Sequence, residues 1–113
     1  MSDHVIPQLF NVIQQRKANP PERSYTVDLL SAGVERIGGK IREEAAEVVE
    51  AAAEAGPDGP AHLIHEAADL LYHLLVMLAH RDVEWADVEA ELARRFGVSG
   101  LDEKAARAET RKL

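Results

Sequence analysis

The chain has 113 residues, 46% of them hydrophobic and 29% charged, with a formal net charge of −7 and no cysteine. That is the size of one domain, 1–113, with a globular composition, and the missing cysteine excludes disulfides, thiolate metal sites and cysteine nucleophiles. The acidic balance gives nucleic acid no electrostatic attraction, no apolar run reaches membrane-spanning length, and Met1-Ser2-Asp3-His4 is no export signal, so a soluble cytoplasmic protein is expected.

Val5, Leu9, Val12 and Ile13 recur at helical spacing and predict a first helix from about Val5 to Lys17. Asn19-Pro20-Pro21 ends it. A short second helix follows Ser24-Tyr25-Thr26 and stops near Gly33, a C-terminal glycine. The third helix, Val34 to Ala55, carries an apolar stripe of Val34, Ile37, Ile41, Ala45, Val48 and Ala52. Gly38-Gly39 inside it costs roughly 1 kcal/mol per glycine relative to alanine. Close approach of a backbone or ligand would account for that cost, and so would a break between two helices.

Gly56-Pro57-Asp58-Gly59-Pro60 is the clearest break in the chain. The fourth helix, Ala61 to His80, is apolar around most of its circumference, which predicts a central, buried position. The fifth runs from about Glu84 to Phe96 with Trp85, Val88 and Leu92 in register. A turn from Gly97 to Gly100 and a last short helix from Leu101 to about Arg107 follow, capped by Ser99 with Asp102, and the charged tail from 108 is expected to fray. No segment reads as a strand. The fold class is an all-α helical bundle, and apolar helix faces on so short a chain favour self-association.

The chemistry lies in carboxylates. The third helix carries Glu43, Glu44, Glu47, Glu50 and Glu54. At roughly 100° per residue, Glu43, Glu50 and Glu54 point away from the apolar stripe, while Glu44 and Glu47 sit on its flank. On the fourth helix His62, Glu66, Asp69, His73 and His80 fall within an arc of roughly 60° on an otherwise apolar cylinder. If the two helices pack antiparallel, Glu44 and Glu47 face Glu66 and Asp69. Carboxylates about 5 Å apart repel by ~3 kcal/mol at an effective dielectric of ~20. A divalent cation removes that penalty, and all-oxygen ligation points to Mg²⁺ or Mn²⁺ rather than zinc. The bland alternative is a protonated or salt-bridged cluster without an ion.

Lys40, one turn before Glu44, is either a phosphate contact or a solvent charge. His73, one turn beyond Asp69, is either a satisfied core histidine or a group that orients a carboxylate or touches substrate. Tyr72 reads as packing, and His62 and His80 take no role.

KIREEAA from Lys40 to Ala46, continued by Glu47 and followed by EAADLLYHLLV from Glu66 to Val76, resembles the phosphoribosyl-ATP pyrophosphohydrolase family. SYT at Ser24 to Thr26 and SGLDEKAAR at Ser99 to Arg107 resemble it as well, so the likeness runs from about Ser24 to Arg107. The carboxylate core alone is shared with the wider MazG-type nucleotide pyrophosphohydrolases. The resemblance implies a MazG-like bundle assembled as a homodimer, and Mg²⁺-dependent hydrolysis of phosphoribosyl-ATP to phosphoribosyl-AMP and pyrophosphate, the second step of histidine biosynthesis. It implies metal ligation by Glu44, Glu47, Glu66 and Asp69, water activation by Glu43, and substrate contacts from Lys40 and His73. A separate phosphoribosyl-AMP cyclohydrolase is expected to take the next step. Arg42 departs from the pattern, where a small residue such as glycine is expected. Arg94, Arg95 and Lys104 are candidates for the ribose phosphates because positive charges are few. Two other readings compete: a housecleaning MazG-type nucleoside triphosphate pyrophosphohydrolase, and a helical dimerisation module without activity.

Overall fold

The computed structural model describes residues 4–97, so the last predicted helix, Lys104, the SGLDEKAAR segment and the tail lie outside the described residues. Five helices run through the described part: α1 (Val5–Ala18), α2 (Tyr25–Ala32), α3 (Val34–Ala53), α4 (Gly59–His80) and α5 (Trp85–Phe96). No strand occurs among the described residues, as the all-α reading requires. The chain clusters into two compact units that divide between Val83 and Glu84.

In the first unit each helix boundary has a local cause. Ser24 caps α2, its hydroxyl accepting the Val27 amide proton at 3.3 Å. Gly33, at φ 88°, ends α2 and opens α3 in a conformation that disfavours any side chain. The turn after α3 relies on two glycines. Gly56 has φ 103°. At Gly59 a Cβ would lie 2.8 Å from the Glu54 carbonyl oxygen, so only glycine lets α4 begin there. This tight turn folds α4 back antiparallel on α3, and the facing pairs run in reverse order: Glu54 with His62, Glu47 with Glu66, Gly38 with Met77.

The α3–α4 contact is the most extensive, and α1 and α2 also pack on α4. The core is built from Phe10, Ile13, Leu29, Ile37, Ala51, Leu75, Val76 and Ala79. Lys17 ties α1 to the far end of α4, its Nζ donating to the carbonyls of Ala79 (2.8 Å) and His80 (3.2 Å) and pairing with Asp82 at 2.7 Å. A cation there satisfies the His80 carbonyl, joins the Asp82 amide as a donor to that of Ala79, and opposes the negative end of the helix dipole.

Four expectations change. On α1 the core residues are Phe10 and Ile13, while Val5 and Val12 are exposed. On α3 the buried line is Ile37, Glu44 and Ala51, seven residues apart, and Val34 and Ala52 face out. The buried face is therefore rotated toward the glutamates relative to the hydrophobic stripe, because what α3 packs against includes the polar arc of α4. The Gly38-Gly39 pair interrupts nothing: α3 is continuous, a Cβ at Gly38 would make ordinary contacts with Met77 and Arg42, and at Gly39 there is open space. Finally, α4 is not enclosed on all sides. Ile64, Leu71 and Leu74 are exposed, because α1, α2 and α3 leave that side uncovered. In the second unit, α5 carries Trp85, Val88 and Leu92 in the predicted register, yet none of its residues is buried.

Candidate active site

Glu44, Glu47 and Glu66 converge where α3 faces α4, each offering a carboxylate oxygen, and these oxygens lie within 4.8 Å of one another. Glu44 is 6% exposed and Glu66 7% exposed. Oε2 of each is buried and has no hydrogen-bond partner. Buried carboxylate oxygens left without donors are costly and rare. The donor set is hard, anionic and convergent, so it fits a small divalent cation.

The fourth expected ligand, Asp69, lies one turn along α4. It groups with Glu66 and His65, its Oδ2 standing 3.3 Å from Nε2 of His65, and its charge acts on Glu44. The four carboxylates thus fall in two overlapping groups, Glu44 with Glu47 and Glu66, and Glu66 with Asp69 and His65, joined at Glu66.

Their proximity shows in their protonation. Glu44 is raised above the usual carboxylate range, first by burial and then by its contact with Glu47. Glu47 is lowered, chiefly through its contact with Glu66. Glu66 is pushed up to about 7, chiefly by Glu47 and next by burial. The cluster titrates as one unit, with protonation favoured on the buried pair Glu44 and Glu66 over Glu47. A proton there relieves part of the repulsion that a cation would relieve fully.

Lys40 and Glu43 stand just outside this group. They pair with each other at 3.4 Å, one turn before Glu44 and Glu47 on α3. Burial works against the Lys40 charge, but Glu43, Tyr25 and Glu44 outweigh it and raise its pKa. His73 is 5% exposed and both its ring nitrogens are engaged: Nδ1 at 2.9 Å from the backbone carbonyl of Asp69, Nε2 at 2.9 Å from the Tyr25 hydroxyl. Arg42 is exposed on α3, and its guanidinium lies over Gly38. Arg94 and Arg95 both pair with Glu91 within α5.

Sequence reasoning passed over three residues. His62 bridges Glu54 (Nδ1, 3.0 Å) and Glu66 (Nε2, 3.5 Å), which raises its pKa, chiefly through Glu54. His65 meets Asp69. Both contacts within α4 are i,i+4 pairs, a spacing visible in the sequence. Tyr25 was passed over because its partner, His73, is 48 residues away.

Comparison with known proteins places this geometry in context. The family model described as phosphoribosyl-ATP pyrophosphohydrolase matches residues 6–96, across all five helices. A protein named phosphoribosyl-ATP pyrophosphatase from Rhodopirellula baltica is 50% identical over 109 residues, covering 95% of this chain and 91% of the relative. One of the same name from Trichlorobacter lovleyi is 51% identical over 108 residues, covering 96% and 97%. Another, from Neisseria meningitidis serogroup C, is 44% identical over 110 residues, covering 97% and 100%. A match of this extent, over the helices that carry the carboxylates, establishes that the chain belongs to the phosphoribosyl-ATP pyrophosphohydrolase family.

Proposed function

We propose that this chain, read as one domain over 1–113, hydrolyses phosphoribosyl-ATP to phosphoribosyl-AMP and pyrophosphate, the second step of histidine biosynthesis. Water attacks phosphorus at the α–β phosphoanhydride, the bridging P–O bond breaks, and pyrophosphate leaves as the water's proton is lost. The observation that carries this reading is the convergence of Glu44, Glu47 and Glu66 with two buried, unpartnered oxygens, in a chain of this family. Glu44, Glu47, Glu66 and Asp69 would hold Mg²⁺, with Mn²⁺ as an alternative. Bound there, the cation supplies charge neutralisation to the phosphates and favours ionisation of water.

The remaining work falls to the chain itself. Lys40 takes a phosphate oxygen, and doing so draws it from Glu43, its partner in the free protein. Glu43, released, is placed to orient the water or accept its proton. His73 acts from behind, since neither ring nitrogen is free to reach a ligand. Assembly as a homodimer is supported by the apolar residues Ile64, Leu71 and Leu74 exposed along α4. In the first unit, no described helix is long and apolar enough to cross a membrane, and the same holds for α5.

The deciding experiment incubates the protein and Mg²⁺ with phosphoribosyl-ATP and, separately, with ordinary and damaged nucleoside triphosphates. Faster pyrophosphate release from phosphoribosyl-ATP is expected; faster cleavage of the others would assign a housecleaning role instead. Glu47→Ala and Asp69→Ala should each abolish release while circular dichroism stays native. Survival of activity in either would remove that residue from the site.

A further inference from the structure

Tyr25 is 48% exposed, yet its ring is held firmly. It stacks on Tyr72 with centroids 6.2 Å and planes 19° apart, and meets His73 edge-on at 5.9 Å and 90°. Tyr72 is itself tied down, its hydroxyl bonded to that of the buried Thr26. The SYT segment thus clasps the Tyr72-His73 pair of α4 at two points.

The polarity of the Tyr25 bond decides what this residue can offer a ligand. His73 Nδ1 faces the Asp69 carbonyl, which only accepts, so Nδ1 carries the ring proton. In the neutral ring Nε2 is then an acceptor, and the Tyr25 hydroxyl donates to it. That hydroxyl has a single proton, and it is spent. Phosphate oxygens at neutral pH only accept, so Tyr25 has no donor left for them; Lys40 and the cation site serve that end of the substrate. What Tyr25 still presents is the exposed part of a fixed aromatic ring.

Its place in the fold matches that role. Tyr25 touches His73, one turn from Asp69, and lies close enough to Lys40 on α3 to interact with it. A nucleotide whose phosphates lie on Lys40 and the carboxylate cluster therefore has its nucleoside end within reach of Tyr25. The other aromatics of the first unit are less available: Phe10 is core, and Tyr72 is half-buried beneath Tyr25.

We propose that Tyr25 is a specificity residue of this site, a preset ring on which the substrate's nucleobase stacks, with His73 as the positioning residue behind it. This rests on the nucleotide-hydrolase reading above. Stacking on a ring already fixed loses little entropy on binding.

The test compares Tyr25→Leu and Tyr25→Phe with the wild type, using phosphoribosyl-ATP as substrate and inorganic triphosphate, which has no base, as a competitive inhibitor. Tyr25→Leu should raise KM about tenfold, within the range that stacking a base on an aromatic ring contributes, with kcat within about twofold. The inhibition constant for triphosphate should not move. Tyr25→Phe keeps the ring and loses only the tether to His73, so its KM should rise by about two- to threefold. An unchanged KM in Tyr25→Leu overturns the proposal, and so does a parallel loss of triphosphate affinity in either variant. If Tyr25→Leu does not fold, Tyr25→Phe alone decides, by a raised KM with unmoved triphosphate inhibition. Should the wild type cleave other nucleotides instead, the substrate reading fails separately, and the same comparison is run on the nucleotide it cleaves.

Discussion

Replacing Glu44 by glutamine removes one negative charge from the cluster while keeping the side chain's shape. Glu44 is 6% exposed, one of its oxygens has no partner, and its carboxylate lies within 4.8 Å of Glu47 and Glu66 oxygens. An uncompensated buried charge destabilises a fold, and relieving one unsatisfied buried group recovers about 1–3 kcal/mol. Because Glu66 retains its proton below pH 7, we place Glu44→Gln at the low end, about 1 kcal/mol more stable than the wild type in EDTA at pH 6. For a domain of this size that is a rise in Tm of roughly 4–8 °C. With Mg²⁺ the order reverses. At a hundred times its Kd, Mg²⁺ stabilises the wild type by about 2.7 kcal/mol, a rise of more than about 10 °C. Glu44→Gln should lose most of that response. Thermal unfolding followed by circular dichroism, with EDTA or with Mg²⁺, reads both quantities. A variant less stable than the wild type in EDTA, or one that keeps the full Mg²⁺ response, would refute the view of Glu44 as a buried ligand.

The pH dependence follows from Glu66. Its folded value of about 7 exceeds the ordinary value of 4.5, so the stability it contributes to the metal-free protein is full below about 4.5 and lost as pH rises through 7. Glu47, shifted the other way, opposes this below 4.5. Since a cation must displace the Glu66 proton, calorimetry should show Mg²⁺ affinity rising about tenfold per pH unit up to about pH 7 and levelling above it; a flat profile from pH 5.5 to 8 would contradict this. The two glycines diverge. Gly39→Ala, entering open space inside a helix, should stabilise by up to about 1 kcal/mol, whereas Gly59→Ala, forced against the Glu54 carbonyl, should destabilise by about 1–3 kcal/mol in urea unfolding. Equal effects would contradict the close approach of Gly59 to the Glu54 carbonyl. Lys17→Met should lower stability by about 1–2 kcal/mol through the uncapped end of α4 while KM stays unchanged. A shifted KM would couple that end to the site.

Much of this was written locally in the chain. The Ser24 cap, the Gly33 junction and the glycine-proline turn set the helix boundaries to within a residue or two, because each acts through its own backbone. The pairing of Glu44 and Glu47 with Glu66 was also legible, since a short turn between two amphipathic helices leaves little choice but an antiparallel hairpin. That Glu44 lies at the centre of the buried face was not. A wheel weighted by hydrophobicity pushes every carboxylate outward, and only the facing arc on α4 reverses that. Phe10 was missed because the α1 stripe has two equally apolar edges, and which one is buried depends on the surfaces of α2 and α4. The bond between Tyr25 and His73 joins α2 to α4, and no periodicity within either helix announces it.

The glycine turn between α3 and α4 has a consequence for how the protein forms. The loop that joins the helices of Glu44 and Asp69 is short, running only from Ala53 to Gly59, so closing the hairpin carries little chain entropy and is fast compared with long-range docking. The acidic residues therefore meet early, while α1, with its Phe10 and Ile13, still has to arrive from the other side of α2. Mutual repulsion is then met at the first assembly step rather than the last. Mg²⁺ added during refolding should therefore accelerate it.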